Sequence, residues 1–331
     1  MCYDGLYTAA RTGDYWRAGR MGVEQPVWAV VDIGSNTVHL LVARADGRSV
    51  TPLVDQTVSL GLGGEVDRGG EIGPAKVDEL ITTLRAFQAA ARDAGAPGLF
   101  CFATEALRAA TNREAVLAAV TAAIGLPIQL LPPDAEAALG YQGAAAAAPG
   151  AGLRAVVDIG GGSLQVVVGE GDSIRGSVSL PLGGARLVAR FLPDDPPSAA
   201  DEARLAAYLA EVIPPALPVR NHDMAALLGT GGTLRRLPAL LGYGFAEQLP
   251  GDALEVALAR LRGQPAAQLT ANSDMTADRA RMLLPALLAW HEVWRGYHAP
   301  PLLVVPAGVR EGAILHLARS SVHERGELRW P

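Results

Sequence analysis

Cysteine and lysine are scarce in this 331-residue sequence, and long apolar runs are missing. The two cysteines, Cys2 and Cys101, lie far apart, which excludes a disulfide framework and a cysteine-based zinc site and favours a reducing compartment. No stretch approaches the ~18 consecutive apolar residues of a membrane span. Asp4, Arg11 and Asp14 stand where a signal peptide would need an apolar core. These features predict a cytoplasmic protein without a membrane partner.

Positive charge comes almost entirely from arginine, since Lys76 is the one lysine of the sequence. The formal net charge of −6 gives no overall attraction for nucleic acid, so we expect no nucleic-acid partner. A polyanionic ligand would therefore need a local cluster of basic residues. Arginine suits this purpose because its guanidinium offers forked donors to phosphate oxygens.

An internal repeat divides the chain. Residues 30–34 (VVDIG) recur 126 residues later as 156–160, and Thr37 then falls on Ser163. Each copy is typical of a β-hairpin: a β-branched strand, an aspartate, a turn of small residues and a second apolar strand. The duplication predicts two related halves that face each other, which fits the length at ~150 residues per domain.

Helical and strand-like segments alternate around the hairpins, which predicts an α/β fold. Helical spacing is found at 75–94, 105–124, 199–213, 234–241, 277–294 and 310–318. Short apolar runs predict strands at 99–103, 128–131, 177–182 and 302–305. The predicted organisation is a leader at 1–26, a first domain at 27–140, a second domain at 141–318 and a tail at 319–331.

The two hairpin turns are candidate phosphate sites because small residues let backbone amides approach an anion closely. Their residues are Gly34, Ser35, Asn36, Thr37, Gly160, Gly161, Gly162 and Ser163. Asp32 and Asp158 occupy the same position in the two copies, so facing halves would bring two carboxylates together. Such a pair beside phosphate-binding amides favours a hydrated Mg²⁺. A single aspartate of this kind would more simply be a turn residue that bonds its own backbone.

A third glycine turn follows a strand at 227–230 and opens a helix. Gly231, Gly232 and Arg235 are candidates for contact with a nucleotide or polyanion, although the turn lacks the GKS or GKT ending of a P-loop. The alternative is that it only caps the helix. Ser35 and Ser163 have no His-Asp pattern nearby, so we reject a serine triad.

Four short motifs occur in order along the chain: 31–37 (VDIGSNT), 103–108 (ATEALR), 134–137 (DAEA) and 158–163 (DIGGGS). Together they resemble the motifs of the exopolyphosphatase and guanosine pentaphosphate phosphohydrolase (Ppx/GppA) family, over about residues 27–317. The resemblance implies a short, two-domain member of the actin, Hsp70 and sugar kinase superfamily. In that fold, duplicated ribonuclease H-like α/β domains face each other across a cleft and close over phosphates.

The resemblance also implies roles for single residues. Glu136 would be the general base that activates water, Arg108 a ligand of the substrate phosphate, and Asp158 a carboxylate near the metal. From the residues alone, Glu136 is an acid in a first helical turn, where it favours the helix dipole, and Arg108 is a solvated helix arginine. The metal candidates are Asp32, Asp158 and Gln165, with Mg²⁺ as the cofactor.

The implied reaction is hydrolysis of the terminal phosphoryl group of inorganic polyphosphate. One alternative is a guanosine pentaphosphate phosphohydrolase, and another is a weakly catalytic sensor that binds either ligand. A homodimer would extend a polyanion groove, and the sequence leaves that state open. Two departures from the family pattern bear on turnover: Gln165 stands where an acid usually helps hold the metal, and Ala138 where an arginine usually follows the catalytic Glu-Ala pair.

Overall fold

The computed structural model describes residues 25–271 and 275–320. Almost all of the predicted leader, including Cys2, and residues 321–331 of the predicted tail lie outside the described residues. Cys101 is a buried free thiol, and burial raises its pKa to about 12. Within the described ranges, no helix combines the length and apolar character needed to cross a bilayer.

The first half of the chain forms a five-stranded sheet in the order β3-β2-β1-β4-β5. Its strands are β1 (Val27–Ile33), β2 (Thr37–Ala45), β3 (Val50–Ser59), β4 (Phe100–Ala103) and β5 (Ile128–Leu130). Its helices are α1 (Leu62–Gly69), α2 (Pro74–Asp93), α3 (Glu105–Ala109) and α4 (Arg113–Ile124). β1 pairs antiparallel with β2 and parallel with β4, so the carboxyl ends of β1 and β4 lie at one edge.

Strand β1 is apolar at nearly every position because both faces of the first sheet are covered. Successive side chains of a strand point to opposite faces. Val31 and Ile33 therefore pack in a core with Leu84 of α2, whereas Val30 packs in a separate core with Ile314.

The second half repeats this arrangement in a six-stranded sheet, in the order β10-β11-β9-β6-β7-β8. Its strands are β6 (Arg154–Ile159), β7 (Leu164–Glu170), β8 (Ser173–Leu180), β9 (Ala226–Thr230), β10 (Gln248–Leu249) and β11 (Leu302–Val304). Between α4 and β6 lies α5 (Pro133–Ala147). The later helices are α6 (Gly184–Phe191), α7 (Ala199–Ala216), α8 (Gly231–Leu234), α9 (Leu237–Leu241), α10 (Ala253–Leu261), α11 (Ala266–Thr270), α12 (Ala277–Arg281), α13 (Leu283–Gly296) and α14 (Val309–Ser320).

The duplication is confirmed at the level of the backbone. The order β8-β7-β6-β9-β11 has the same connectivity as β3-β2-β1-β4-β5. Each second strand also carries an irregularity in its register, between Val42 and Ala43 in one half and between Val168 and Gly169 in the other. These two positions have the same 126-residue separation as the hairpins, so the repeat includes the bend of the strand.

Helices α5 and α14 lie between the two sheets. α14 contacts β1 and β2 of the first sheet, whereas α5 contacts β6 and β7 of the second, and the two helices pack on each other. Gly143 and Gly312 permit their close approach, because a Cβ at either position would overlap a carbonyl oxygen of the other helix region. The boundary predicted at residue 140 falls inside α5.

Candidate active site

A cavity of about 190 Å³ opens where the two halves meet, at the carboxyl ends of β1, β6 and β9. Ligand sites of α/β sheets commonly lie at this edge. The structure brings fifteen of the predicted site residues to this cavity: Asp32, Gly34, Ser35, Asn36, Thr37, Glu136, Asp158, Gly160, Gly161, Gly162, Ser163, Gln165, Gly231, Gly232 and Arg235. Arg108 is the predicted residue that does not line it.

Each hairpin turn is braced by the segment that opens the next helix. In the first half, Asn36 O accepts hydrogen bonds from the N–H groups of Leu60 and Gly61, each at 3.0 Å, and Ser35 O accepts one from Gly63 at 2.7 Å. The turn is therefore fixed through its carbonyl oxygens.

The second turn is braced in the same way by the start of α6. Gly184 N–H donates to Gly160 O at 2.8 Å, and Ala185 N–H donates to Gly161 O at 3.0 Å. The bracing segments share a sequence signal that the motif analysis missed, because residues 59–64 (SLGLGG) recur 120 residues later as 179–184 (SLPLGG).

Fixing the carbonyl groups leaves the amides of the turns available. Throughout 25–271 and 275–320, no backbone oxygen accepts a hydrogen bond from the N–H groups of Ser35, Asn36, Gly161, Gly162 or Ser163. Successive backbone N–H groups of this kind form an anion-binding concavity. Two such turns facing one cavity can hold phosphate oxygens from both sides.

The acidic side of the cavity is formed by five carboxylates: Asp32, Glu105, Glu136, Asp158 and Glu311. Burial, together with the neighbouring Glu136 and Glu311, raises the pKa of both Asp32 and Asp158 to about 7. Arg310 opposes the rise at Asp32, and Arg235 opposes it at Asp158. The cluster is therefore short of positive charge, which favours a cation among these groups.

Asp158 is positioned by a glycine. Gly231 follows β9 with a φ of +86°, and a Cβ at this residue would overlap Asp158 Oδ1. The preceding residue, Thr230, ends β9; its hydroxyl donates to Ala307 O at 2.6 Å and so ties the turn to the segment before α14. The third glycine turn thus supports the aspartate of the second hairpin.

Glu136 lies in the first turn of α5, with its side chain 12% exposed. Arg108 Nη1 donates to Glu136 Oε2 at 2.7 Å, and the Gln165 side chain is a second hydrogen-bond partner. Burial nevertheless raises the pKa of Glu136, against the lowering effect of Arg108. Arg108 also donates to Leu131 O at 2.7 Å, which fixes the guanidinium behind the carboxylate.

The basic side of the cavity is formed by Arg235, Arg279 and Arg310 together with His39, and the motif analysis found only Arg235. Burial and the three nearby arginines lower the pKa of His39 well below its usual value, so its imidazole is neutral at physiological pH. Arg310 itself is buried and donates to Asp55 at 2.6 Å.

A signal for His39 and Arg310 is present in the sequence. In the repeat, His39 corresponds to Gln165, which lies 126 residues later. Asp32 pairs with His39 between β1 and β2, and Asp158 pairs with Gln165 between β6 and β7. Arg310 and Glu311 lie in the first turn of α14, and the N–H of Gly308, just before the helix, donates to Glu311 Oε2 at 2.8 Å. The Arg310 and Glu311 side chains reach the cavity because α14 packs against the first sheet.

The donor set fits a magnesium ion that the substrate completes. Among the described residues, no three His, Cys, Asp or Glu side chains are grouped so as to hold a metal by themselves. Asp32 Oδ1 is buried and has no hydrogen-bond partner in the described chain. Mg²⁺ in proteins commonly takes one or two carboxylates plus waters and phosphate oxygens, and Asp32 and Asp158 supply that number.

Comparison with solved structures identifies the fold. The structure matches an Aquifex aeolicus Ppx/GppA family member with a TM-score of 0.79 and 24% identity, over 90% of this chain and 100% of that one. It matches an exopolyphosphatase from Cytophaga hutchinsonii with a TM-score of 0.80 and 22% identity, over 89% and 98%. The predicted α/β fold, with two related halves that face each other across a cleft, is confirmed.

Sequence comparison identifies the family. Exopolyphosphatase 1 of Mycobacterium tuberculosis is 33% identical over 297 residues, which cover 86% of each protein. Exopolyphosphatase 1 of Mycobacterium leprae is 30% identical over 299 residues, 86% of this chain and 88% of that protein. The model of the Ppx/GppA phosphatase family matches residues 41–321. The chain therefore belongs to the Ppx/GppA phosphatase family and is a phosphatase.

Proposed function

We propose that this protein is a cytoplasmic exopolyphosphatase that hydrolyses the terminal phosphoryl group of inorganic polyphosphate. The observation that carries the proposal is one cavity lined by two turns with available amides, two aspartates, Glu136 and three arginines. The mycobacterial relatives named as exopolyphosphatases support the choice of substrate. Phosphoryl transfer needs mainly positioning and charge neutralisation, which is what this arrangement offers.

The terminal phosphoryl group would bind between the two turns. Backbone N–H groups of Ser35, Asn36, Gly161 and Gly162 would donate to its oxygens. Negative charge on the following phosphoryl group would be met by the arginines of the basic side, Arg235, Arg279 and Arg310. The substrate would thus contact both the amides of the turns and the arginines of the cavity.

Asp32 and Asp158 would hold the Mg²⁺, whose chemistry is to neutralise charge on the phosphoryl oxygens during transfer. The two carboxylates belong to different halves, so the metal site exists only when the cavity is assembled. Gln165 is a weaker candidate ligand, because its side chain already bonds Glu136 and adds no negative charge.

Glu136 would act as the general base. Its carboxylate would take a proton from a water molecule as the water oxygen bonds to the terminal phosphorus. The bond from that phosphorus to the bridging oxygen breaks, and the shortened chain leaves with the electron pair. A base is most effective when its pKa approaches the working pH, and burial moves Glu136 in this direction. Arg108, which contacts both the carboxylate and Leu131 O, would hold the base in place.

The proposal is tested by phosphate release from polyphosphate in the presence of Mg²⁺. Glu136→Gln keeps the shape of the side chain and removes the base, so we expect turnover to fall at least about 100-fold. Glu114→Gln is the matched control, since Glu114 is also an acid in the first turn of a helix and is exposed away from the cavity. Release that survives in Glu136→Gln would remove Glu136 from this role.

Guanosine pentaphosphate is measured in the same series, because it presents the same terminal phosphoryl group. Faster release from the nucleotide than from polyphosphate would assign the alternative activity. A ligand that raises the melting temperature while no phosphate appears would assign a sensor instead.

A further inference from the structure

A groove of about 610 Å³ adjoins the cavity. It lies between α1 and α3 of the first half and α6 and α12 of the second. Its charged residues balance, with three arginines and three acids: Arg68, Arg186, Arg281, Asp67, Glu105 and Asp278. A groove that bound a long polyanion would need an excess of positive charge. The net charge of the groove therefore does not favour a long polyanion.

The cavity and the groove share six lining residues: Ser35, Asn36, Glu105, Gly161, Gly162 and Met282. Glu105 is the charged residue among them. A Cβ on Gly162 would lie 3.2 Å from Glu105 Cγ and 3.4 Å from Ser35 Oγ. The side chain of Glu105 therefore crosses from the first half to the phosphate turn of the second half.

Two arginines hold Glu105 in this position. Arg108 Nη2, from the same helix, contacts Glu105 Oε2 at 3.3 Å. Arg186 Nη2, from α6 of the other half, contacts Glu105 Oε1 at 3.4 Å and Asp67 Oδ1 at 3.3 Å from the groove side. Both carboxylate oxygens are thus engaged, one by each half of the molecule.

We propose that Glu105 is a specificity-determining residue that closes the passage between the cavity and the groove to a phosphate chain, so that the site takes short polyphosphates. This inference rests on the proposed function. A phosphoryl group in the passage would meet the carboxylate of Glu105, and the repulsion between like charges would disfavour its binding there. The same carboxylate holds Arg186, which would otherwise be available to phosphate.

The test compares tripolyphosphate with long-chain polyphosphate in the wild type and in Glu105→Gln. The amide keeps the size of the side chain, removes the charge and releases Arg186. We expect the ratio of kcat/KM for the long chain to that for tripolyphosphate to rise about tenfold or more. In Glu105→Gln combined with Arg186→Gln, we expect part of that gain to be lost.

Asp67→Asn is the matched control, because Asp67 also contacts Arg186 and lines the groove but does not line the cavity. Its ratio should stay within about twofold of the wild-type value. An equal gain in Asp67→Asn would show that the general charge of the groove matters and would overturn the role of Glu105. Equal losses on both substrates in Glu105→Gln would overturn it too, since they would show that Glu105 only positions Arg108.

Binding separates this inference from the proposed activity. Dissociation constants for the two phosphate chains, measured per chain in the Glu136→Gln background, give the same ratio without turnover. A wild-type protein that releases no phosphate refutes the proposed function, whereas a binding ratio that Glu105→Gln leaves unchanged refutes the inference.

Discussion

The hairpins of the first and second halves have the same backbone conformation. In each, a hydrogen bond of 3.0 Å closes the turn, from Gly34 N–H to Thr37 O and from Gly160 N–H to Ser163 O. In each, an aspartate lies opposite a polar residue across the ladder, Asp32 opposite His39 and Asp158 opposite Gln165. The duplicated sequence thus reproduces the same geometry around both aspartates.

The paired residues then differ. The His39 ring nitrogens lie 2.6 Å from the Thr37 hydroxyl and 2.8 Å from that of Thr57, beside the basic side of the cavity. Gln165 instead bonds Glu136, on the acidic side. The two copies therefore place different chemistry at the same position: an imidazole near the arginines in one, and an amide that bonds the Glu136 carboxylate in the other.

The largest effect that would break this comparison is expected from Gly231→Ala. A Cβ here would overlap Asp158 Oδ1, and an Ala at positive φ costs about 1–2 kcal/mol. A displacement of about 1 Å at a reacting centre can lower turnover about 100-fold, and we expect a loss of that size. Phosphate release and the melting temperature measure the two effects separately.

Gly242→Ala is the control for this change. Gly242 has a φ of +85° and open space around its Cβ position, so an Ala there carries the same backbone cost without touching a carboxylate. We expect a similar fall in melting temperature and unchanged turnover per folded molecule. Equal losses of turnover in the two variants would show that Gly231 matters only for folding.

Much of the fold was predictable because the pattern is local. The helix predicted at 75–94 is observed as Pro74–Asp93, and the strand predicted at 302–305 as Leu302–Val304. The helix predicted at 105–124 is instead two helices, α3 and α4. Helical spacing continues through the break, so the periodicity of the apolar residues did not reveal it.

Between β2 and α2, the sequence pattern predicted neither β3 nor α1. Strand β3 is an edge strand that contains Pro52 and exposes Leu53, and it lacks the regular alternation of a half-buried strand. Arginines of the basic side were missed for a different reason. Arg279 and Arg310 are far apart in the chain and meet at the cavity only through the tertiary packing of α12 and α14.

Neutralising the aspartates tests whether the two copies are electrostatically equivalent. Because the pKa of each is raised to about 7, the folded protein keeps a proton that the unfolded chain has already lost. The free energy of unfolding should therefore fall as pH rises from about 4 to about 7. Asp32→Asn and Asp158→Asn each remove one such contribution. Above pH 7 we expect each to stabilise the metal-free protein by about 1 kcal/mol, or roughly 2 °C in melting temperature.

Mg²⁺ provides the second half of that experiment. It should raise the melting temperature of the wild type more than that of either variant, because each variant lacks one of the two carboxylates. Variants that melt below the wild type at pH 8 without metal would contradict the interpretation that negative charge is concentrated around the two aspartates. A gain in only one variant would show that the two copies differ here as well.

The smallest effect is expected from His39→Gln, which gives both hairpins the same paired residue. The His39 imidazole is neutral because burial and the nearby arginines lower its pKa, and its ring nitrogens contact two hydroxyls. Glutamine keeps a donor and an acceptor, so turnover should change less than about threefold, with a constant ratio to the wild type between about pH 6 and pH 8. Gln165→Leu removes a hydrogen-bond partner of the charged Glu136, which is a stronger interaction, and should lower turnover about tenfold. A larger loss of turnover in His39→Gln than in Gln165→Leu would contradict this expectation. It would show that the residue opposite Asp32 matters more for turnover than the residue opposite Asp158.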